Sequence, residues 1–305
     1  MTQLLDEYAA YLAAIEGAAD STVMTYRSAA ASFQTWLNIQ PESRDVTSAS
    51  RADVEGFISS LTARGLAPRT RALTIHGLRS FYAWLPGVTT NPAAKIPTPR
   101  IPPSHIRPYE PQEVDAIFAA IRGRHAKTAG VDEAVIATLY YTGLRCAELV
   151  GLEHGHLDLD ARRLLVTGKN RNQRTVPIAW PLKRILASYL TKSRCQAPSS
   201  NWVFANPRST ASGPWVGRIA PGVVRKLVVS YGQAAKVPGQ HHPHRWRHTF
   251  ATTVLRAGID VHTVQRLLGH IKVGTTAGYL HLLDDELCAA VDAVYQTAQP
   301  QNEKP

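Results

Sequence analysis

Seven prolines fall between residues 86 and 108, in the stretch PGVTTNPAAKIPTPRIPPSHIRP. Each proline fixes φ and removes a backbone donor, so neither a helix nor a central strand can run through such a stretch. A chain of 305 residues has room for one or two domains. The prolines predict two: residues 1–88 and residues 109–305, joined by a semi-extended tether over 89–108.

The first part reads as all-helical. Leu4, Leu5, Tyr8, Tyr11, Leu12 and Ile15 recur at helical spacing over 3–17. Val23, Tyr26, Ala30, Phe33 and Leu37 do the same in a second helix, which Asp20 or Ser21 can cap. Val54, Phe57, Ile58 and Leu61 predict a third over 51–64, stopped by Gly65. Leu73, Leu78, Phe81, Tyr82 and Leu85 predict a fourth over 68–85, with Arg69, Arg71, Thr74, His76 and Arg79 on its polar face. In the second part, helices are expected over about 111–121 and 131–141. The period then changes. Arg163 to Val166 and Arg174 to Ile178 flank a polar turn and read as a β-hairpin. Helical spacing returns after Pro181, with loops near 196–222 and 236–243. The expected fold class is mainly α with a small β-sheet: an all-helical first domain and an α+β second.

Lys and Arg outnumber Asp and Glu by 34 to 23, a formal charge of +11. Such an excess suits a polyanion, because cationic side chains replace the counterions condensed on phosphates. It is uneven: ten basic against eight acidic residues in 1–107, 24 against 15 in 108–305. Cys146, Cys195 and Cys288 are odd in number and widely spaced, which argues against a disulfide framework and for a reducing compartment. The opening MTQLLDEYAAYL has no signal-peptide apolar core. No apolar run approaches the ~18 residues of a membrane span. The expectation is a soluble, cytoplasmic protein that does not engage a membrane.

Four clusters can carry chemistry. In TGLRCAEL, Gly143 ends one helix and Arg145 opens the next, where it can hold an anion or simply pair with Glu148. In TGKNRNQR, Lys169, Arg171 and Arg174 crowd a hairpin turn that either meets a phosphate or is solvated. In HHPHRWRHTFATTVL, His244, Arg245, Arg247 and His248 open a helix. The i, i+4 histidines lack the glutamate of a zinc-protease motif, and the arginines between them oppose a divalent metal, so no metal site is expected. In LLGHIKVGTTAGYLHL, Asp260 caps a short helix ended by Gly269, His270 follows, and Tyr279 lies nine residues on. Two arginines, a lysine, two histidines and a tyrosine together make a set for metal-free phosphoryl transfer: guanidiniums for the developing charge, a phenol as nucleophile, His and Lys to move protons.

In this order and spacing the clusters resemble the tyrosine recombinase (phage integrase) family. Its pattern has Arg in a TGLRxxEL box, Lys in a β-hairpin, HxxR before HTFAT, LGH, and Tyr nine residues after that His. The matching positions here are Arg145, Lys169, His244, Arg247, His270 and Tyr279. The front segments STVMTYRSAAASFQTWL and TIHGLRSFYAWL resemble the family's helical core-binding, SAM-like domain. Trp246 stands where Leu is usual, and GKNRN where GKGxK is commoner. Lys169 is preferred to Arg171 as the hairpin acid because Arg holds its proton too tightly.

The resemblance implies the following chemistry. Tyr279 attacks the scissile phosphate and forms a 3′-phosphotyrosine. Arg145 and Arg247 hold the non-bridging oxygens, and Glu148 orients Arg145. Lys169 protonates the leaving 5′-oxygen, His244 takes the tyrosine proton or steadies the phosphorane, and His270 bonds a phosphate oxygen. No cofactor, ATP or metal is required. The implied partner is a double-stranded DNA recombination site bound by a homotetramer, with an accessory protein or second recombinase left open. A C-terminal helix over 285–297 is expected to dock on a neighbouring protomer. Candidate DNA contacts are Arg69, Arg71, Arg79, Arg171, Arg174, Arg218, Arg225, Lys226 and Arg245. The helices start almost at the first residue, which suits a simple Xer-like, integron- or transposon-type two-domain architecture. The alternatives are a catalytically silent, sequence-specific DNA-binding protein of the same fold, a type IB topoisomerase and a metallohydrolase.

Overall fold

The computed structural model describes residues 2–42, 44–101, 106–124, 129–168, 172–193, 200–205, 217–269 and 291–295. Of the residues singled out above, Lys169, Arg171, His270 and Tyr279 lie outside these, as do 285–290 and 296–297 of the expected C-terminal helix. The chain divides into two compact units, Met1–Ser104 and His105–Pro305. Among the described residues no helix is long and apolar enough to cross a membrane.

The first unit holds α1 (Thr2–Ala14), α2 (Asp20–Asn38), α3 (Arg51–Ala63) and α4 (Pro68–Trp84). One stripe of each helix enters a shared core, with Tyr8, Leu12, Phe33, Leu37, Phe57, Leu61, Ile75, Leu78 and Phe81 buried together. Ser50 and Asp53 close a reciprocal capping box at the start of α3. Pro68 opens α4, where its missing donor costs nothing.

The tether expected from residue 89 begins later than its prolines suggest. Ala93 and Ile96 are buried in the first core. Arg79 donates to the Ala93 carbonyl at 3.2 Å and also to the Ile96 carbonyl. Asn91 donates to the Arg79 carbonyl at 2.9 Å and accepts from the Ala93 amide at 2.9 Å. A proline-broken stretch has no ladder to satisfy its backbone, and partly buried carbonyls must find other donors. Arg79, expected on a DNA-facing surface, supplies them here.

In the second unit α6 (Ala129–Thr142) is apolar nearly all round and therefore central. It packs against α5 (Pro111–Arg122), α8 (Trp180–Ser188) and α10 (Pro243–Arg256). Between α6 and α8 lie a short α7 (Cys146–Val150) and an antiparallel sheet of β1 (Leu157–Asp158), β2 (Arg163–Thr167) and β3 (Gln173–Pro177), in that order. The hairpin pairs Leu164 with Val176 and Val166 with Arg174. Leu164, Val166 and Val176 face the core. β1 went unread because two residues carry no detectable alternation. The remaining helices are α9 (Pro221–Ala234) and α11 (Val261–Leu268).

Helical residues 291–295 seat on their own unit in the single chain, whereas a neighbouring protomer was the expected dock for that segment. Val291, Val294 and Tyr295 are buried with Phe250, Val254, Val264, Leu267 and Leu268. Asp292 pairs with Arg162 at 2.5 Å, and the Tyr295 hydroxyl donates to the Tyr140 carbonyl at 3.2 Å.

The junction of α6 and α7 turns on Gly143, whose φ is +62°. A Cβ there would lie 2.6 Å from Phe250 Cδ1 and 2.9 Å from Leu268 Cδ2. Gly143→Ala combines left-handed strain with a clash against α10 and α11. It is expected to lower the urea-unfolding stability of the second unit by roughly 2–4 kcal/mol. A loss under about 1 kcal/mol would mean that the junction yields freely.

Candidate active site

Arg145 immediately precedes α7, and the helix's first turn brings Glu148 back beneath it. Glu148 Oε2 accepts from the Arg145 amide at 2.8 Å, and Oε1 from Arg145 Nη1 at 2.9 Å. From β3, Arg174 grips the same carboxylate with both terminal nitrogens, Nη1 to Oε1 at 3.0 Å and Nη2 to Oε2 at 2.9 Å. The Glu148 side chain is only 4% exposed. Burial alone would raise its pKa, but the bonds from Arg174 and the Arg145 amide outweigh that and hold the carboxyl below its ordinary value.

The second arginine comes from α10. His244 and Arg247 are one turn apart on that helix, hence on one face. Arg247 is buried and donates from Nη1 to the Gly143 carbonyl at 2.9 Å and from Nη2 to the Leu268 carbonyl at 2.6 Å. Arg145 Nη1 reaches the same Leu268 carbonyl at 3.5 Å, and Arg174 Nε donates to the Leu267 carbonyl at 3.0 Å. These carbonyls belong to the last turn of α11, which has no intrahelical donors for them. Gly269, in the left-handed conformation at φ +65°, ends that helix. Three guanidiniums therefore meet at the negative end of one helix, where its dipole favours them.

Among the described residues of this network, one carboxylate, paired with Arg145 and Arg174, stands among three guanidiniums, so positive charge is in excess. Burial and the adjacent Arg145 push Arg247 down to about 10. Burial, then the charges of His248, Arg247, His242 and Arg145, push the His244 imidazole below its usual value. A neutral His244 can accept a proton, and an arriving phosphate would relieve the repulsion between the arginines. Arg145 stays 44% exposed and presents its remaining donors outward. Its rim forms a cleft of about 280 Å³ with Cys146, Arg225, His242 and His244.

Of the six expected catalytic positions, the structure brings Arg145, His244 and Arg247 together, with Glu148 bonded to Arg145; Lys169, His270 and Tyr279 are outside the described residues. The expected DNA contacts separate into two groups. Arg69, Arg218, Arg225 and Lys226 are exposed. Arg71 is half-buried and donates to Thr62 Oγ1 at 2.6 Å. Arg174, like Arg79, is turned inward. Arg245 is 2% exposed and lies 3.8 Å from the Tyr109 ring centroid, with bonds to the Arg107 and Pro238 carbonyls at 2.9 and 3.0 Å. It fastens α10 to the chain entering α5 and is not available to DNA.

His242 was not singled out by the sequence. Its Nδ1 accepts from the Arg245 amide at 3.1 Å and caps α10, a position that usually falls to Ser, Thr, Asp or Asn. The His-Pro pair just ahead of the helix was the available signal, since Pro243 at the first helical position makes the preceding residue the cap.

Burial, the first cause in each case, holds His241, His242, His244 and His248 below their ordinary values. The unfolded chain binds these protons near pH ~6.5. Below that pH the unfolded state carries more protons, so stability present above about 6.5 is lost as pH falls through the folded values. Melting temperature should therefore drop between about pH 7 and pH 5. His242→Asn keeps a cap acceptor without the titration and should make that drop shallower. An unchanged slope would show that the cap does not titrate with folding.

The chain matches the model described as phage integrase family over residues 109–286, and that of the phage integrase N-terminal SAM-like domain over residues 5–86. It is 28% identical over 316 residues to tyrosine recombinase XerD of Bifidobacterium longum, covering 98% of each chain. It is 31% identical over 312 residues to tyrosine recombinase XerC of Mycobacterium sp. (strain KMS), covering 99% of this chain and 100% of that one. Its backbone is similar to that of a lambda integrase dimer bound to a COC′ core site, with a TM-score of 0.67 and 15% identity over 91% of this chain and 99% of that one. At that identity the last likeness is one of fold. The paired arginines beneath α11 stand inside a sequence match that spans more than half the chain, and the chain belongs to the phage integrase family of tyrosine recombinases.

Proposed function

We propose that this protein is a site-specific recombinase that cuts and rejoins double-stranded DNA through a 3′-phosphotyrosine on Tyr279. The observation that carries the reading is the Arg145–Arg247 pair, joined at the Leu268 carbonyl, braced by an ionised Glu148 and flanked by a neutral His244. Two fixed guanidiniums suit the two non-bridging oxygens of a phosphodiester, and they stabilise the charge that builds as the phosphorus becomes five-coordinate. His244 takes the phenolic proton or steadies the phosphorane. Lys169 protonates the departing 5′-oxygen, and His270 adds a donor to the phosphate. The bond energy is stored in the phosphotyrosine, so a 5′-hydroxyl from a second duplex reverses the step without ATP. Exchange between two duplexes calls for four protomers. The XerD and XerC similarity supports this reading over a relaxing enzyme.

Among the described residues, exposed Arg69, Arg218, Arg225 and Lys226 remain as candidates for phosphate and groove contacts. Arg225 is the most direct of them, since it lines the same cleft as Arg145.

The test is covalent trapping. Duplexes selected by binding from a random pool are rebuilt with a nick that lets the leaving strand diffuse away. They are incubated in EDTA and run on a denaturing gel. Wild type should give a protein–DNA band and Tyr279→Phe none, with equal DNA affinity. Arg247→Gln should slow band formation roughly 10²–10³-fold. Bound DNA with no band would favour the silent DNA-binding alternative. Affinity should fall steeply with salt, the log–log slope shrinking by about 1 for each phosphate contact removed, as in Arg225→Gln.

A further inference from the structure

Arg174 was expected to face DNA from the hairpin, yet its side chain is 14% exposed and its donors point into the protein. Nε serves the Leu267 carbonyl, while Nη1 and Nη2 take one Glu148 oxygen each. Gly269 lies directly against it: a Cβ there would come within 2.8 Å of Nη1. Arg174 thus joins three elements, β3, the first turn of α7 and the last turn of α11.

We propose that Arg174 is a positioning residue for the anion site, acting through Glu148. Each Glu148 oxygen receives one bond from Arg174 and one from Arg145, the Arg145 amide on Oε2 and its guanidinium on Oε1. The fork of Arg174 fixes the plane of the carboxylate, and that plane fixes where the Arg145 guanidinium stands. Without the fork, a buried carboxylate would lose two charge-assisted bonds. Its pKa would rise, and once protonated it could no longer accept from both Arg145 donors. Lysine cannot replace the fork, since a single ammonium does not set a plane. β3 starts at Gln173, shortly after Lys169 in the chain, so the same contact fixes where that strand begins.

The link to cleavage rests on the recombinase reading, whereas the link to anion binding does not. The test therefore uses both, on full-length Arg174→Gln and Arg174→Lys, with Glu148→Gln and the double variant Arg174→Gln/Glu148→Gln. Inorganic sulfate should raise the wild-type melting temperature beyond sodium chloride of equal ionic strength. Both Arg174 variants should need roughly tenfold more sulfate for the same shift. Trapping on pre-bound nicked DNA should slow about 100-fold, and the acid limb of its pH profile should move to higher pH. DNA affinity should fall by no more than the roughly tenfold factor for sulfate, and its salt slope should hold. The double variant should be no slower than Glu148→Gln alone.

Wild-type sulfate response and an unmoved acid limb in Arg174→Gln would overturn the proposal. So would weaker DNA binding with a salt slope smaller by about 1, the mark of a direct phosphate contact. If Arg174→Gln fails to fold, Arg174→Lys carries the sulfate measurement, and a wild-type response there refutes the need for the fork. Absence of any wild-type covalent complex would sink the recombinase reading while leaving the sulfate arm to decide on Arg174.

Discussion

The Glu148 carboxylate is the contact on which the second unit's site depends. A buried carboxylate is costly unless its lone pairs are matched by cations or N–H donors. Here the matching groups come from Arg145, just ahead of its own helix, and from β3. Satisfying that one charge fixes α7 against the sheet, and the same two arginines then reach the end of α11. The structural requirement and the chemical one are met by the same bonds. The acid that anchors the elements also keeps a guanidinium aimed at the cleft.

α11 contributes by being short and ending abruptly. Its final carbonyls would be unsatisfied in a buried setting, and three arginines meet them. A peptide carbonyl offers an arginine partial charge without a full counter-ion. Among the described residues, Arg247 is therefore placed by carbonyls alone, and Arg145 shares its carboxylate, Glu148, with Arg174. Burial, together with the neighbouring positive charges, holds Arg247 and His244 below their ordinary values.

Much of this was legible in the sequence, and for a physical reason. Helical periodicity reports which face must be buried, and it located α1 to α6 to within a few residues. The TGLRxxEL and HxxR spacings likewise report local geometry, since residues three apart on a helix share a face. The failures concern arginines. Arg79, Arg174 and Arg245 stand among the candidate DNA contacts because basic side chains suit phosphates and grooves. Each is instead turned toward backbone carbonyls that have no partner in their own element: the proline-broken stretch after α4, the end of α11, and the chain around Arg107 and Pro238. Such needs arise only when distant segments meet, so no window of sequence displays them. The late start of the tether has the same origin, in Ala93 and Ile96 finding a core that the prolines around them do not reveal.

Gly143 and Gly269 carry a consequence for how such a protein can change over generations. One supplies a carbonyl to Arg247, and the other lies against Arg174. Both need a left-handed backbone and room for no side chain. Every codon change that replaces a glycine installs at least a Cβ, so neither position has a neighbouring neutral state to drift into. An exposed cation such as Arg69 can be exchanged by single-base steps and restored by another nearby. The parts of the site most closed to evolutionary drift are thus two residues that perform no chemistry and whose whole contribution is the volume they leave empty.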